Sequence, residues 1–179
     1  MLDRLRMWIG IQIARFRLRK SRDAVISFNN AVNSARRALL IMPLKRREFL
    51  PTVMVIDFLK KRFPEENITV ISDDHGREVV RMLIRSHFIH LMEEEITPFF
   101  LPSPGLVRRI QEREYDLVID LNLDFVLPSA YICKESNAPV RIGFSRDMAE
   151  SFYNFQIQPD PTLERKYLYD RMARFLQMF

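Results

Sequence analysis

The sequence predicts an α/β fold, namely a single Rossmann-like, doubly wound and mostly parallel sheet that is preceded by N-terminal helices. Three observations support it. From residue 38 onward, short apolar or β-branched runs alternate with segments of helical length. The run at residues 38–42 is continuously apolar, as expected of a strand buried on both faces of a parallel sheet. The 179 residues suit one domain of ordinary size. Because the alternating pattern begins at residue 38, we divide the chain into a basic amphipathic helical arm, residues 1–37, and a sheet domain, residues 38–179.

The arm is the first element, and we expect it to form two helices. A helical wheel of the first helix shows two apolar stripes on roughly opposite sides. One stripe comprises Leu2, Leu5, Ile9, Ile13 and Phe16, and the other comprises Met7, Ile11, Ala14 and Leu18. A helix that only lies on a membrane has one apolar face. Two stripes therefore indicate contact with a membrane or partner on one side and with the chain's own domain on the other. The second helix is expected at residues 23–37.

The elements of the sheet domain follow in alternation. We expect strands at residues 38–42, 67–72, 88–92, 97–101, 116–121, 140–144 and 155–158. We expect helices at residues 51–62, 77–85, 106–113 and 127–136, and a closing helix at residues 162–178. The first of these helices ends at Phe63-Pro64, because the residue before a proline is biased against helical backbone.

The net charge of +5 lies entirely in the arm, since residues 1–23 carry seven basic and two acidic side chains. Basic arms of this kind contact anionic surfaces. No uncharged stretch is longer than 12 residues, whereas a membrane span needs about 18. The single cysteine, Cys133, excludes a disulfide scaffold and fits a reducing compartment. We therefore expect a cytoplasmic location, with peripheral contact to the inner face of the cytoplasmic membrane as a further option.

Ligands of open α/β sheets bind beyond the carboxyl ends of the strands, so the loops there hold the candidate site. The loop after the first strand contains Lys45, Arg46 and Arg47 and ends on Glu48. Three cations beside a helix start suit an anion, and a partly desolvated Glu48 suits a general base. The alternative is a solvated basic turn. None of the four glycines lies in a dinucleotide- or phosphate-binding pattern, so we expect no cofactor.

Other polar residues give weaker indications of a site. His87, His90 and Glu93 have a spacing that would suit a metal on a helix, but in a strand residues 87 and 90 point to opposite faces, so we expect no metal site. Four acids follow strands, where they are either turn formers or catalytic acids: Asp73, Asp74, Asp120 and Asp124.

Several strings of the sheet domain resemble the N-terminal domain of glycosyltransferase family 9, the ADP-heptose:lipopolysaccharide heptosyltransferases. They are FLKKRFP at residues 58–64, YDLVIDL at residues 115–121 and RIGF at residues 141–144. The resemblance runs from about residue 38 to the end of the chain. It implies one half of a two-domain GT-B fold, in which the N-terminal domain receives the acceptor sugar and the C-terminal domain binds the nucleotide-sugar donor.

The resemblance also implies that two loops of the acceptor edge are altered. The family's general base, an aspartate in an SxxGD loop, corresponds to Glu48, and the glycine before it corresponds to Arg47. A Gln-Gly pair after the fifth strand corresponds to Asn122-Leu123. Because glycine lets backbone approach a ligand closely, both changes suggest lost catalysis. The chain also stops where a donor domain would begin, so we do not expect transfer by this chain alone.

Three functions stay open. The first is a non-catalytic glycosyltransferase-like binding or scaffold protein, which the arm recruits to a membrane surface, a protein partner or a second copy of the chain. The contact residues would be Leu2, Leu5, Trp8, Ile9, Ile13 and Phe16. An anionic glycan or lipid would be bound by Lys45, Arg46, Arg47, Asn122, Ser129 and Arg141. The second function is the acceptor half of a split glycosyltransferase for lipopolysaccharide-type glycans, with Glu48 as base. The third, nucleic-acid binding, is disfavoured because the arm lacks basic–aromatic alternation.

Overall fold

The computed structural model describes residues 2–19, 25–76 and 81–178 of the chain. Within these residues it has a parallel sheet of six strands in the order β3-β2-β1-β4-β5-β6. The strands are β1 (Ala38–Ile41), β2 (Ile68–Ser72), β3 (His87–His90), β4 (Leu117–Asp120), β5 (Val140–Phe144) and β6 (Phe155–Ile157). The strand order reverses at β1, which has β2 on one side and β4 on the other, as in doubly wound sheets. The predicted fold class is confirmed.

Helices of the described residues cover both faces of this sheet. They are α1 (Leu2–Leu18), α2 (Phe28–Ser34), α3 (Val53–Arg62), α4 (Pro104–Gln111), α5 (Leu127–Glu135) and α6 (Arg165–Leu176). On one face α2, α3 and α6 pack against alternate strand residues such as Leu40 and Ile119, and on the other α1, α4 and α5 pack against Leu39 and Val118. Successive side chains of a strand point to opposite faces. The central strands are therefore buried on both sides, which explains their continuous apolar runs.

One of the two stripes of α1 packs on the second of these faces. Ile11 and Ala14 are buried there, with Met7 at the margin of the same apolar cluster. A Cβ atom at Gly10 would lie 2.0 Å from the carbonyl oxygen of Phe99, so the helix approaches the turn before α4 more closely than any side chain at this position would allow. The first helix of the arm thus shares the core of the sheet domain.

The second helix of the arm is shorter than predicted. Its expected start at residues 23 and 24 lies outside the described residues, and residues 25–27 are not helical. The helix α2 begins at Phe28, whose ring stacks on that of Phe155 in β6 with a centroid distance of 4.1 Å. Beyond α2 the chain runs extended towards β1. There the carboxylate of Asp116 accepts hydrogen bonds from the backbone N–H groups of Arg36 and Arg37, at 2.8 and 2.9 Å.

The predicted strand at residues 97–101 is wrong, because these residues form a closed turn. The N–H group of Thr97 donates to the carbonyl of Leu101 at 2.8 Å, and that of Phe100 donates to the carbonyl of Thr97 at 2.9 Å. Pro98 has no N–H group to donate to a sheet, and Phe100 has a φ of 60°, which lies outside the β region. The segment is apolar because it packs near α1, with Leu101 buried.

Two predicted helices have other bounds in the structure. Of residues 77–85, residues 77–80 lie outside the described part of the chain, and residues 81–85 are not helical. The closing helix begins at Arg165 rather than at residue 162. The carboxylate of Asp160 accepts hydrogen bonds from the N–H and hydroxyl groups of Thr162, at 2.9 and 2.6 Å. Hydrogen bonds from an aspartate to the residue two positions later stabilise a turn, so the helix begins only after this turn.

Candidate functional site

The loops after β1 and β4 meet at the carboxyl edge of the sheet. The two strands are neighbours, and Ile41 pairs with Asp120 at their ends. The side-chain amide of Asn122 joins the loops, because its Oδ1 accepts a hydrogen bond from the N–H of Leu44 at 3.0 Å and its Nδ2 donates to the hydroxyl of Ser129 at 3.1 Å. Asn122 and Ser129 are both buried. The structure therefore brings these two predicted residues together and uses their polar groups to hold the loops.

Glu48 lies at the same edge, and the closing helix encloses its carboxylate. The short 3₁₀ turn Arg46–Glu48 carries the side chain inward, so that 3% of the residue is exposed. Arg165, the first residue of α6, donates to Oε1 from Nε at 3.0 Å and from Nη2 at 2.5 Å. The hydroxyl of Tyr169 lies 3.3 Å from Oε2 and 2.8 Å from the carbonyl of Leu121, so two acceptors share its proton.

Two further residues extend this ion pair into an edge network of Lys45, Glu48, Asp124 and Arg165. The guanidinium of Arg165 also donates to both carboxylate oxygens of Asp124, at 2.9 and 3.3 Å, and the ammonium group of Lys45 pairs with the same carboxylate. Hydrogen bonds from Arg165 and Lys45 lower the pKa of Asp124 to about 2. The Asp124 and Glu48 carboxylates in turn raise the pKa of Arg165. Two cations and two anions therefore satisfy one another.

This arrangement limits what Glu48 can do chemically. A general base needs a free lone pair within about 2.6–3.2 Å of the proton that it removes. One oxygen of Glu48 accepts two hydrogen bonds from Arg165, and the other faces the hydroxyl of Tyr169 and is buried with the rest of the side chain, so a ligand cannot reach it directly. A ligand at this edge would have to displace α6 from the carboxylate before it could donate a proton to it. Glu48 is therefore placed as a structural ion-pair partner.

Asp120, at the end of β4, forms a second buried cluster beside the edge network. The hydroxyl of Tyr153 donates to Oδ2 at 2.6 Å, while the N–H and Nδ2 groups of Asn122 donate to Oδ1 at 2.9 and 2.8 Å. Burial raises the pKa of Asp120 to about 6, although the hydrogen bonds act in the opposite direction. Burial, with the charge of Asp120 adding to it, also raises the pKa of the Tyr153 hydroxyl and of the Cys133 thiol.

The predicted cations are placed in three different ways. Lys45 is paired with Asp124 in the edge network. Arg46 and Arg47 are exposed, and no hydrogen bond or ion pair engages their side chains within the described ranges. Arg141 does not join them, because it is buried in β5 and donates to the backbone carbonyls of Phe152 at 2.9 Å and of residue 138 at 2.7 Å. Among the predicted cations, the exposed ones that are not paired within the described residues are thus Arg46 and Arg47.

The two histidines of β3 lie at opposite ends of that strand, and His90 is at the carboxyl edge, two strands away from β1. His90 pairs with Asp74, with Nε2 and Oδ1 3.2 Å apart, and His87 is exposed at the other end of the strand. No group of three or more histidine, cysteine or acidic side chains that could hold a metal ion occurs in the parts of the chain that the structure describes.

The outward side of α1 carries most of the predicted contact residues. Leu2, Leu5, Trp8 and Phe16 are exposed, with Phe16 at 76%, and Ile9 is half-buried. Ile13 differs, because it packs against the apolar cluster of the domain. No helix of residues 2–19, 25–76 and 81–178 is both long enough and apolar enough to cross a membrane.

Sequence reasoning missed Arg165, Tyr169 and Tyr153 as residues of this edge. Arg165 and Glu48 are separated by 117 residues, and Tyr153 and Asp120 by 33. No spacing rule links such pairs, and Arg165 reads as one of several basic residues of an amphipathic helix. Aspartates after strands were recognisable as candidates. Their partners depend on how α6 and the segment before β6 pack against the ends of the strands.

Comparison with known proteins identifies solved structures with a similar fold. No protein-family model and no curated protein matches the sequence. Among solved structures, a family 9 glycosyltransferase from Veillonella parvula DSM 2008 superposes with a TM-score of 0.62 at 15% identity, covering 88% of this chain and 44% of its own. The E. coli heptosyltransferase WaaC with ADP gives 0.60 at 14% identity, over 78% of this chain and 46% of that one. WaaC with ADP-2-deoxy-2-fluoro heptose gives 0.61 at 13% identity, over 80% and 49%.

The similarity to these solved structures establishes the fold of this chain. At 13–15% identity the chain has the architecture of part of a family 9 glycosyltransferase, and it spans just under half the length of the structures it matches. The fold that the sequence resemblance implies is confirmed.

Proposed function

We propose that this chain is a non-catalytic, glycosyltransferase-like binding protein that its N-terminal helix holds at a membrane surface or in a partner complex. The observation that supports the absence of catalysis is the enclosure of Glu48, the residue that the sequence resemblance assigns to the position of the family's general base. Its carboxylate is buried and accepts two hydrogen bonds from Arg165. A carboxylate held in this way fixes α6 on the sheet, and it no longer removes a proton from a sugar hydroxyl.

The binding surface of this proposal is the exposed side of the loop after β1. Arg46 and Arg47 offer two guanidinium groups there, while the edge network beneath them is internally neutral. Guanidinium groups bind phosphate and carboxylate groups with paired hydrogen bonds. We therefore assign the ligand to the class of anionic glycans, with phosphate or carboxylate substituents that meet Arg46 and Arg47.

Calorimetric titration with a phosphorylated lipopolysaccharide core oligosaccharide tests this binding surface. We expect the double variant Arg46→Gln/Arg47→Gln to bind about tenfold more weakly, which corresponds to about 1.4 kcal/mol. The matched control Lys61→Gln/Arg113→Gln removes the same charge from exposed positions elsewhere and should bind as the wild type does. Equal weakening in both double variants would show general charge attraction, and the assignment to this edge would then fail.

The second candidate function is the acceptor half of a two-part glycosyltransferase. Large apolar side chains are exposed around the same edge, among them Leu44, Met54 and Tyr167. A further domain packed on this edge would remove them from water, which favours association. This function requires that such packing also opens the contact between Glu48 and Arg165. The two candidates therefore differ in whether sugar transfer depends on Glu48.

A further inference from the structure

The outward side of α1 has an ordered distribution of apolar and basic residues. On a wheel of 100° per residue, Leu2, Leu5, Ile9 and Phe16 form a continuous band, which we call the α1 strip. Beside the strip lie Arg15, Arg19 and the single tryptophan, Trp8, on one side, and Arg6 and Arg17 on the other. Arg6 pairs with Asp3 at 3.5 Å and Arg17 lies against Tyr131 of α5, so within the described residues the arginines beside the strip without such a contact are those of the first side. The opposite side of the helix, with Ile11 and Ala14, is occupied by the core. The strip therefore faces outward while the helix is already fixed to its domain.

Exposure of the α1 strip is costly in water. Leu2, Leu5 and Phe16 are 59%, 53% and 76% exposed. Burial of such side chains away from water is favourable in proportion to the apolar area that is covered. The strip extends from residue 2 to residue 16, which is about 21 Å along a helix. A surface that covers it must be apolar along this length, and negative charge beside it would pair with Arg15 and Arg19.

We propose that the α1 strip binds the surface of a bilayer that contains anionic phospholipids, with the helix axis parallel to the membrane. This inference rests on the proposed function and names the surface to which the chain is recruited. A bilayer interface takes up the apolar strip at the level of the acyl chains, and the exposed side chains of Arg15 and Arg19 extend from it to the phosphates. Trp8 lies on the same side of the strip as Arg15, and tryptophan is enriched at the membrane–water interface of membrane proteins.

Charge complementarity favours this occupant. Residues 1–23 carry the entire net charge of +5, and the remaining chain is balanced. Each basic residue near the surface of an anionic leaflet adds to the attraction between the chain and the leaflet. Residues 2–19 carry five basic side chains and one acidic side chain, so an orientation with α1 towards the lipid brings a net charge of +4 to the membrane and leaves the neutral sheet domain in solution.

Trp8 reports this contact directly, because it is the single tryptophan of the chain and is 56% exposed. The full chain is titrated with vesicles of phosphatidylcholine alone and of phosphatidylcholine with 30% phosphatidylglycerol. With the anionic vesicles we expect the emission of Trp8 to shift to shorter wavelength and to be quenched by brominated acyl chains. With the neutral vesicles we expect at least tenfold weaker partitioning, and added NaCl should weaken binding to the anionic vesicles.

Matched variants separate the strip from its charges. Leu5→Ser/Phe16→Ser should weaken partitioning into the anionic vesicles by at least tenfold, whereas Leu50→Ser, at an exposed site on the other face of the sheet, should not. Arg15→Gln/Arg19→Gln should weaken it similarly, in contrast to Lys61→Gln/Arg113→Gln. All replaced side chains are exposed, so the variants should keep the wild-type fold by circular dichroism.

Absence of a shift with either vesicle would overturn the inference, and so would equal partitioning of the Leu5→Ser/Phe16→Ser variant and the wild type. Equal binding to neutral and anionic vesicles would overturn its electrostatic part. None of these outcomes touches Glu48, so a failure here is distinguishable from a failure of the non-catalytic proposal, which Glu48-dependent sugar transfer would produce.

Discussion

Glu48 and Arg165 form an ion pair that connects two elements at the carboxyl edge of the sheet. Glu48 is almost fully buried, so its charge would be costly there without a partner. Arg165 supplies two hydrogen bonds to it and keeps contact with solvent and with Asp124 on its other side. The pair joins the loop after β1 to the first turn of α6. It is therefore as much a folding contact as a feature of the candidate site.

Replacing Arg165 should expose the cost of the buried carboxylate. We expect Arg165→Met to lower the free energy of unfolding by about 2 kcal/mol, because Glu48 loses its charged donors. Glu48→Gln should cost less, because the amide oxygen still accepts from Arg165. The double variant should lose less than the sum of both changes, since each removes the same contact. Urea unfolding of the four proteins measures this coupling, and strict additivity would contradict the contact.

Asp120 should make stability depend on pH in the direction opposite to that of a salt-bridged acid. Its pKa is about 6 in the folded chain and 3.8 without the burial, so folding favours the protonated form. The stabilisation is complete below about pH 4 and is lost as pH rises through about 6. Between pH 4.5 and 7.5 the wild type should lose about 2 kcal/mol relative to Asp120→Asn.

Urea unfolding of both proteins at the two pH values measures this difference, and the replacement keeps the size of the side chain. An unchanged difference between wild type and Asp120→Asn across this range would show that Asp120 titrates at its ordinary pKa.

At the scale of elements, the position of α1 depends on Gly10. Alanine usually favours a helix interior over glycine by about 1 kcal/mol. Here a Cβ atom would lie 2.0 Å from the carbonyl oxygen of Phe99, so the helix or the turn must shift. We expect Gly10→Ala to lower the free energy of unfolding by about 1–3 kcal/mol, as overpacking does, and to speed amide hydrogen exchange in α1.

The matched control for this change is Gln12→Ala, which lies on the exposed side of the same helix and should be neutral or slightly stabilising. If Gly10→Ala proved as stable as Gln12→Ala, the close approach of α1 to the turn would be contradicted.

The elements that sequence predicts well are those whose residues carry their own signal. The strand β1 is a continuous apolar run, and β4 is one up to Asp120 at its end. The stripe of α1 with Ile11 and Ala14 is the one that packs on the domain. The segment at residues 97–101 misled the prediction, because its apolar residues serve a turn under α1 rather than a strand. Periodicity reports burial, and it does not distinguish a buried turn from a short strand.

At the scale of the whole molecule, the location of the candidate site was predictable from the sequence, but the enclosure of Glu48 within it was not. The carboxyl edge follows from the strand order, and Lys45, Asn122 and Glu48 do lie there. That Glu48 is enclosed follows from Arg165, which is 117 residues away along the chain and reaches it only when α6 packs beside α3. Long-range ion pairs of this kind arise from tertiary packing, so a single sequence carries no signal for them.

The two surfaces of the account lie on different parts of the fold. The α1 strip belongs to the layer formed by α1, α4 and α5, whereas Arg46 and Arg47 lie at the carboxyl edge next to α6. One surface can therefore be engaged without covering the other. A chain held at a lipid surface by α1 would still present its guanidinium groups to a glycan.

The central claim, that this chain acts without catalysis by Glu48, is tested most directly in its own cells. Mass spectrometry of the cell-surface glycans is compared between wild-type cells, cells carrying Glu48→Gln and cells that lack the protein, with equal protein levels verified for the variant. We predict that Glu48→Gln cells make the same glycans as the wild type, whatever the deletion does. Loss of the same sugar in the Glu48→Gln cells and in the deletion would contradict the account and establish Glu48 as a catalytic base.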